Sequence, residues 1–119
     1  MASHNDLGRY GEELGRSYLR EQEFDVLHVN WKYSFFEIDI IASKDNVLHF
    51  IEVKTRRTRQ FGMPEESVDR KKMKKLMTAA EEYLYRFPGW KRVQYDILSI
   101  SITPEQKPEY FFIEDVFIV

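Results

Sequence analysis

The 119-residue sequence contains no cysteine. This absence excludes disulfide bonds and thiolate metal sites, so any bound metal would need oxygen or imidazole ligands. A chain without disulfides is typical of the cytoplasm, which is the compartment we expect. No apolar run approaches the ~18 residues of a membrane span, and residues 1–6 lack the apolar core of a signal peptide. We therefore predict a soluble protein without a membrane partner.

Apolar side chains are abundant enough for a compact fold. Hydrophobic residues make up 43% of the sequence and aromatic residues 15%, and their burial can offset the entropy lost on folding. A chain of this length fits one hydrophobic core. We expect a single domain over residues 1–119.

Basic residues are concentrated in one segment, although the formal net charge is -2. A negative total argues weakly against a nucleic-acid-binding protein, because such domains are usually basic. Residues 54–75, however, carry nine basic and three acidic side chains, a balance of +6. Phosphate affinity depends on the local field more than on the total charge. The segment indicates either a phosphate-binding surface or an ordinary solvated face.

Hydrophobic periodicity predicts an α/β fold. Helical stripes cover Leu7 to Gln22 and a second segment that begins near Ser67 or Asp69 and ends before Pro88. Short apolar runs predict strands at residues 24–29, 37–43, 47–55, 93–102 and 110–119, with residues 30–36 as a connection. The second and third strands are expected to form a hairpin. The helix between two strands predicts a crossover, and hence a central mixed five-stranded sheet flanked by helices.

Two acidic residues interrupt strands that are otherwise apolar. Asp39 lies between isoleucines, and Glu52 lies between Ile51 and Val53. An unpaired buried carboxylate costs several kcal/mol, and Lys54 alone cannot neutralise two of them. A divalent metal such as Mg²⁺ could neutralise both carboxylates, because it prefers oxygen ligands and commonly binds one or two carboxylates. The alternative is a cross-strand ion pair on a solvated face.

These acidic residues are part of a motif with a known counterpart. Asp39 is followed, after twelve residues, by Glu52-Val53-Lys54, which resembles the signature of the PD-(D/E)xK, or restriction-endonuclease-like, superfamily. The chain also resembles the YraN-like family of predicted endonucleases, itself similar by motif to archaeal Holliday-junction resolvases. The segments that carry this resemblance are Gly11-Glu12, residues 37–42, residues 51–56, Phe61-Gly62 with Pro64, Lys72 and Tyr95-Asp96.

The resemblance implies a restriction-endonuclease-like fold, a Mg²⁺ (or Mn²⁺) site and action on DNA, with branched or structured DNA as a candidate substrate. Asp39 and Glu52, with the Val53 carbonyl, would bind the metal, and Lys54 would orient water or stabilise charge on the phosphate. Glu12 on the first helix would assist. The proposed phosphate-binding residues are Arg56, Arg57, Arg59, Lys71, Lys72 and Lys75. Glu37 is a weaker candidate for the site, with a salt bridge at its rim as the slightly favoured alternative.

Other functions stay open from the sequence alone. A non-catalytic nucleic-acid-binding module would keep the basic segment and use the acidic residues structurally, and a protein–protein adaptor would need neither. Phe35 and Phe36 stand where the family pattern has glycines. With Trp31 and Tyr33 they could form a wedge for unstacked bases, a dimer patch or a packed loop. A homodimer is expected by analogy with enzymes that act on two-fold junctions.

Overall fold

A computed structural model describes residues 4–57 and 70–116 of the chain. They form helices α1 (His4–Glu21) and α2 (Arg70–Arg86) and strands β1 (Asp25–Tyr33), β2 (Phe36–Lys44), β3 (Val47–Arg56), β4 (Arg92–Ser101) and β5 (Glu109–Ile113). The five strands form one sheet in the order β1-β2-β3-β4-β5. Neighbouring strands are antiparallel except β3 and β4, which are parallel and joined through α2. The predicted mixed five-stranded α/β fold is confirmed, as are the hairpin and the crossover.

Two of the predicted strand limits were wrong. Residues 30–36 were expected to be a connection, but β1 continues through Tyr33 and turns tightly into β2 at Phe36. The left-handed backbone of Asn30, with φ of 50°, interrupts the pattern without ending the strand. The last strand ends at Ile113 because Asp115 is also left-handed, with φ of 56°, and its amide donates to Asp96. Residues 117–119 lie outside the described part.

The helices cover opposite faces of the sheet. The α2 face buries Ile38, Ile41, Leu48 and Phe50 of the sheet against Met73, Leu76, Ala79, Ala80 and Tyr83 of the helix. The α1 face buries Leu19 with Ile40, Ala42, Ile51, Leu98 and Ile100. The sheet therefore has an apolar layer on each side, as its crossover connection requires.

The glycines of α1 allow this helix to lie very close to the sheet. A Cβ atom on Gly11 would overlap the Cγ2 methyl of Thr55 on β3, whereas one on Gly15 would lie 3.4 Å from side-chain atoms of Val53 and Leu98. Gly8, one turn earlier, has no neighbouring heavy atom within 4 Å of its ideal Cβ position. The helix therefore packs closely on the sheet, and the contact is tightest at Gly11.

A buried contact between His49 and Asp96 ties β3 to β4 on the α1 face. His49 Nδ1 lies 2.6 Å from Asp96 Oδ2, and the other oxygen of Asp96 accepts hydrogen bonds from the Gln94 side chain and the Asp115 amide, both at 2.9 Å. Asp96 is fully buried. These bonds join two central strands to the segment that follows β5, and they satisfy a carboxylate that would otherwise be costly to bury.

Gly11→Ala is expected to destabilise the protein by roughly 1–3 kcal/mol, because its methyl group would be forced into Thr55. Thr55→Ser removes that methyl, so Gly11→Ala should cost less in the Thr55→Ser background. The control Gly8→Ala should be neutral or stabilise by up to about 1 kcal/mol, since alanine favours helix and nothing is nearby. Urea unfolding of the four variants gives these free energies. Equal effects of Gly11→Ala in both backgrounds would show that Thr55 is not the limiting contact.

Candidate functional site

The site is formed where strands β2 and β3 stop pairing with each other. Their ladder runs from the Lys44–Val47 pair to the Ile40–Ile51 pair, while β3 stays paired with β4 as far as Arg56. Just beyond the ladder, the Val53 amide donates to Asp39 Oδ2 at 2.8 Å. The Asp39 carboxylate thus accepts a hydrogen bond from the Val53 amide at the point where the two strands separate.

The alternation of β2 is interrupted at Asp39. Ile38 packs in the core against α2, whereas Ile40 packs in the core on the α1 face. Residues two apart in a regular strand point to the same side, so the strand must be irregular between them. Asp39 consequently lines a cavity on each face of the sheet, of about 230 Å³ on the α2 side and 220 Å³ on the α1 side.

The cavity on the α2 side brings the two predicted strand carboxylates together. Its lining residues are Phe35, Phe36, Glu37, Asp39, Glu52, Lys72, Lys75 and Leu76. Lys72 Nζ lies 3.8 Å from Glu52 Oε1, an ion pair between α2 and β3 in which the glutamate side chain is only 13% exposed. The helix face of Lys72 also carries Lys75 and Leu76, because they follow Lys72 by three and four residues. The cavity therefore has acidic groups from the sheet and cations from the helix.

Three carboxylates meet on the α1 side of the same strand end. Glu12, Glu37 and Asp39 each offer an oxygen atom within 4.8 Å of those of the other two. With its side-chain amide oriented to satisfy both neighbours, Asn30 donates to Glu12 Oε2 at 3.2 Å and to Glu37 Oε1 at 2.9 Å. Glu12 thus points from α1 towards the end of β2. Glu37 belongs to the acidic group, whereas the sequence slightly favoured a salt bridge at the rim.

Burial among acidic neighbours raises the pKa of Asp39 to about 7. Burial is the main cause, the negative charges of Glu12, Glu52 and Glu37 add to it, and the hydrogen bond from the Val53 amide opposes it. The pKa of Glu12 is raised for the same main reason, burial, with Glu37 adding to the shift; the bond from Asn30 and the charge of Arg16 oppose it. Both carboxylates favour the neutral form more than they would in water.

The donor atoms fit a hard divalent cation. Asp39, Glu52, Glu12 and Glu37 offer carboxylate oxygens, which Mg²⁺ and Mn²⁺ prefer. A cation held there would offset both the burial of Asp39 and its repulsion from the neighbouring carboxylates, the two causes that raise its pKa. The imidazole of His49 lines a different cavity and is bonded to Asp96. The set of ligands available at Asp39 is therefore of the all-oxygen kind expected from the sequence.

The other residues predicted for the site are not among the described lining residues of the two cavities at Asp39. Lys54 shares the Glu52 side of β3 by strand alternation, but it is not among the described lining residues of either cavity at Asp39. Val53 contributes its amide to Asp39, and the role of its carbonyl stays a prediction. Arg57 and Lys71 are exposed and Arg56 is half-buried, none of them lining these cavities. Arg59, Phe61-Gly62 and Pro64 lie outside the described residues, as do the helix-start candidates Ser67 and Asp69.

Asp39→Asn is expected to stabilise the metal-free protein at neutral pH. Because the folded-state pKa is about 7 against 3.8 for the ordinary group, the folded wild type binds more protons than the unfolded chain between these values. Its stability relative to Asp39→Asn should fall as the pH rises from 4 to 7 and then level off, leaving the variant ahead by roughly 1–3 kcal/mol at pH 8. Denaturant unfolding in EDTA at several pH values measures this difference.

Asp45→Asn serves as the control, because it removes the same charge from the exposed turn between β2 and β3. A stability difference between wild type and Asp39→Asn that stays constant from pH 4 to 8 would contradict the prediction.

Comparison with known proteins gives a consistent result over most of the chain. The profile described as Uncharacterised protein family UPF0102 matches residues 11–100. A UPF0102 protein of Bacteroides thetaiotaomicron is 42% identical over 100 residues, covering 84% of this chain and 83% of its own. The UPF0102 protein of Flavobacterium psychrophilum is 39% identical over 118 residues, covering 98% of this chain and 98% of its own. The UPF0102 protein of Dictyoglomus thermophilum is 39% identical over 106 residues, covering 88% of this chain and 90% of its own. None of the described helices is long and apolar enough to cross a membrane. The family expected from the motifs is confirmed, and this chain belongs to UPF0102, the YraN-like family.

Proposed function

We propose that this protein is a metal-dependent endonuclease that hydrolyses phosphodiester bonds of DNA, with branched or otherwise structured DNA as its candidate substrate. The observation that carries the proposal is the cavity in which Asp39 and Glu52 of the sheet face Lys72 and Lys75 of α2. Carboxylates for a divalent cation and lysines for a phosphate are the two requirements of such a site.

The order of residues supports the same proposal. Asp39 and the Glu52-Val53-Lys54 segment lie on the two strands of a hairpin, and a crossover helix follows. This is the arrangement that the resemblance to the PD-(D/E)xK nucleases leads us to expect. Proximity of the carboxylates follows from the hairpin, because strand neighbours lie about 5 Å apart.

Asp39 and Glu52 would hold the cation, and Glu12 and Glu37, whose oxygens lie close to Asp39, would hold a water or a second ion. A bound Mg²⁺ or Mn²⁺ supplies Lewis-acid stabilisation of the phosphate and a more acidic water. The Val53 amide fixes the Asp39 carboxylate, so that its other oxygen is presented in one orientation. Fixed ligands spare the site a reorganisation cost during the reaction.

The lysines supply the positive charge that a DNA strand requires. Lys72 and Lys75 project from the first turns of α2, where cations are unfavourable for the helix itself because the N-terminus already carries partial positive charge. Their placement therefore serves a demand other than helix stability, and phosphate binding meets it. Lys54, on the same side of β3 as Glu52, is proposed to stabilise charge that develops on the phosphate.

The second candidate is a non-catalytic nucleic-acid-binding module. The ion pair of Lys72 with Glu52, at 3.8 Å, favours it, because a structural acidic cluster would be held by such contacts. In that case DNA binding would depend on the lysines and no strand would be cut. The two candidates thus differ in one measurable step.

Asp39→Ala and Glu52→Ala are expected to lower cleavage by at least 100-fold, since each removes a proposed metal ligand. The assay follows radiolabelled four-way junctions, flaps and single strands with Mg²⁺ or Mn²⁺. Glu105→Ala, which removes an exposed carboxylate from the loop before β5, should cut like the wild type.

Cutting retained by both Asp39→Ala and Glu52→Ala would overturn the endonuclease proposal. Binding without cutting by the wild type would favour the second candidate. The double variant Asp39→Ala, Glu52→Ala should also lose the rise in melting temperature that Mn²⁺ gives the wild type.

Lys72→Ala combined with Lys75→Ala is expected to weaken DNA binding and to reduce the slope of log affinity against log salt by roughly 1–2, because about two phosphate contacts disappear. The matched control is Lys91→Ala combined with Arg92→Ala, which removes two exposed charges at the start of β4, at the other end of β3 from Glu52. Fluorescence anisotropy over a range of salt concentrations measures both slopes. Identical slopes for the two double variants would show that the α2 lysines do not bind phosphate.

A further inference from the structure

Phe35 stands in solvent at the tip of the β1–β2 hairpin. Its side chain is 98% exposed, more than any other large hydrophobic residue among those described. The Tyr33–Phe36 pair closes the turn, and Ser34 adopts a φ of 57°. Such tight turns favour glycine, asparagine or aspartate, so the turn itself does not call for phenylalanine. The turn therefore presents a fully exposed phenyl ring that its own geometry does not require.

The other aromatic residues of this hairpin have packing partners. Trp31 and Phe36 pack against the core on the α2 face, and Trp31 meets the ring of Tyr83 edge-on with centroids 5.4 Å apart. The Arg86 guanidinium lies over the rings of Trp31 and Tyr33, at 5.5 and 5.8 Å. These contacts fix the stem of the hairpin to the end of α2. Phe35 is thus presented from a supported hairpin.

Phe35 lines the same cavity as the proposed metal ligands. An aromatic wall formed by Phe35 and Phe36 lies on the hairpin side, and Lys72 and Lys75 lie on the helix side. The rest of the lining consists of Glu37, Asp39, Glu52 and Leu76. Aromatic rings and cations beside one groove are the combination by which proteins bind unpaired nucleic-acid strands. The rings of this wall can stack on other flat rings, and the bases of DNA are flat rings.

Base stacking on a protein ring selects one class of DNA. In a continuous duplex each base is covered on both faces by its neighbours, so a ring cannot stack on it without unstacking the helix. A nucleotide in a bulge, a flap, a junction or a single strand offers a free face at lower cost. Stacking is tolerant of base identity, so this contact would select structure and not sequence.

We propose that Phe35 is a base-stacking residue that selects DNA carrying an unpaired nucleotide beside the phosphate held by Lys72 and Lys75. This inference rests on the proposed action on DNA and adds the class of substrate to it. The stacking partner is an unpaired base, in preference to a second copy of the chain, because the ring belongs to the cavity with the lysines and carboxylates. It is a specificity determinant distinct from the acidic group.

The test compares two duplexes of the same length, one fully paired and one with a single unpaired 2-aminopurine. Binding is measured in EDTA by anisotropy and by 2-aminopurine fluorescence, so that it does not depend on cleavage. The wild type should prefer the bulged duplex. Phe35→Ser should lose roughly 5- to 100-fold in affinity for it and bind the paired duplex within about twofold of wild type, as expected for loss of one stack.

Two control variants define the effect of the ring. Phe35→Trp should retain the preference, because a larger ring can still stack. Tyr85→Ser should behave as the wild type, since Tyr85 is another exposed aromatic residue, 83% exposed, on α2. Each variant changes a surface side chain, and circular dichroism verifies its fold.

The outcomes separate this inference from the proposed nuclease activity. No DNA binding by the wild type, equal binding of both duplexes, or unchanged affinity of Phe35→Ser would overturn the stacking role, whether or not the wild type cuts DNA. A preference lost in Phe35→Ser without cutting by any variant would support stacking while the endonuclease proposal fails. A dimer that dissociates on Phe35→Ser, with DNA binding unchanged, would assign the ring to a protein interface instead; sedimentation measures it.

Discussion

The hydrogen bond from the Val53 amide to the Asp39 carboxylate connects the fold of this protein to its candidate site. It forms where the β2–β3 ladder ends, and it gives the freed amide a charged acceptor in place of a backbone carbonyl. The same bond holds a carboxylate at the opening between the two strands. Without an acceptor there, a half-buried strand would leave a backbone donor unsatisfied. The same hydrogen bond thus closes the end of the β2–β3 ladder and sets the position of the Asp39 carboxylate.

The separation of β2 from β3 explains why acidic groups collect from both faces of the sheet. Glu12 reaches Asp39 from the α1 side, whereas Glu52 and the lysines of α2 lie on the other side; Glu37 lies close to Glu12 and Asp39 and also lines the α2-side cavity. A continuous sheet would keep these groups apart, because its backbone would separate the two faces. The close approach of α1 at Gly11, against Thr55 of β3, brings Glu12 to the same strand end. The acidic cluster therefore depends on an irregular strand and on a small residue in a helix.

The sequence predicted those parts of the fold that follow regular periods. The helical stripes predicted both helices, and the apolar runs predicted the five strands, the hairpin and the crossover. The motifs predicted the family. Irregular backbone was the source of the errors: Asn30 looked like the end of a strand, and the change of side at Asp39 cannot be read from a pattern that assumes strict alternation.

The same limit applies to the candidate site. Asp39 and Glu52 were correctly expected to be neighbours because a hairpin enforces it. Glu37 was undervalued and Asn30 was missed, since their meeting with Glu12 depends on the tertiary fold; the tolerance of asparagine for left-handed backbone was the available signal. Helical spacing alone does not separate Lys71 from Lys72, because they precede Lys75 by four and three residues; the placement of Lys72 and Lys75 in the cavity depends on the tertiary fold.

The strands are arranged in the sheet in the order in which they occur along the chain. Two consecutive hairpin pairings, β1 with β2 and β2 with β3, need only short turns to close, while the β3–β4 pairing must wait for a crossover of more than thirty residues. Short loops close at a lower entropic cost and usually form faster. Asp39 and Glu52 are both within the locally closed part, whereas Lys72 and Lys75 arrive with the crossover. During folding, the carboxylates of the cleft are therefore expected to come together before the lysines of α2 reach them. Attraction between these carboxylates and the lysines then favours the docking of α2 on the sheet.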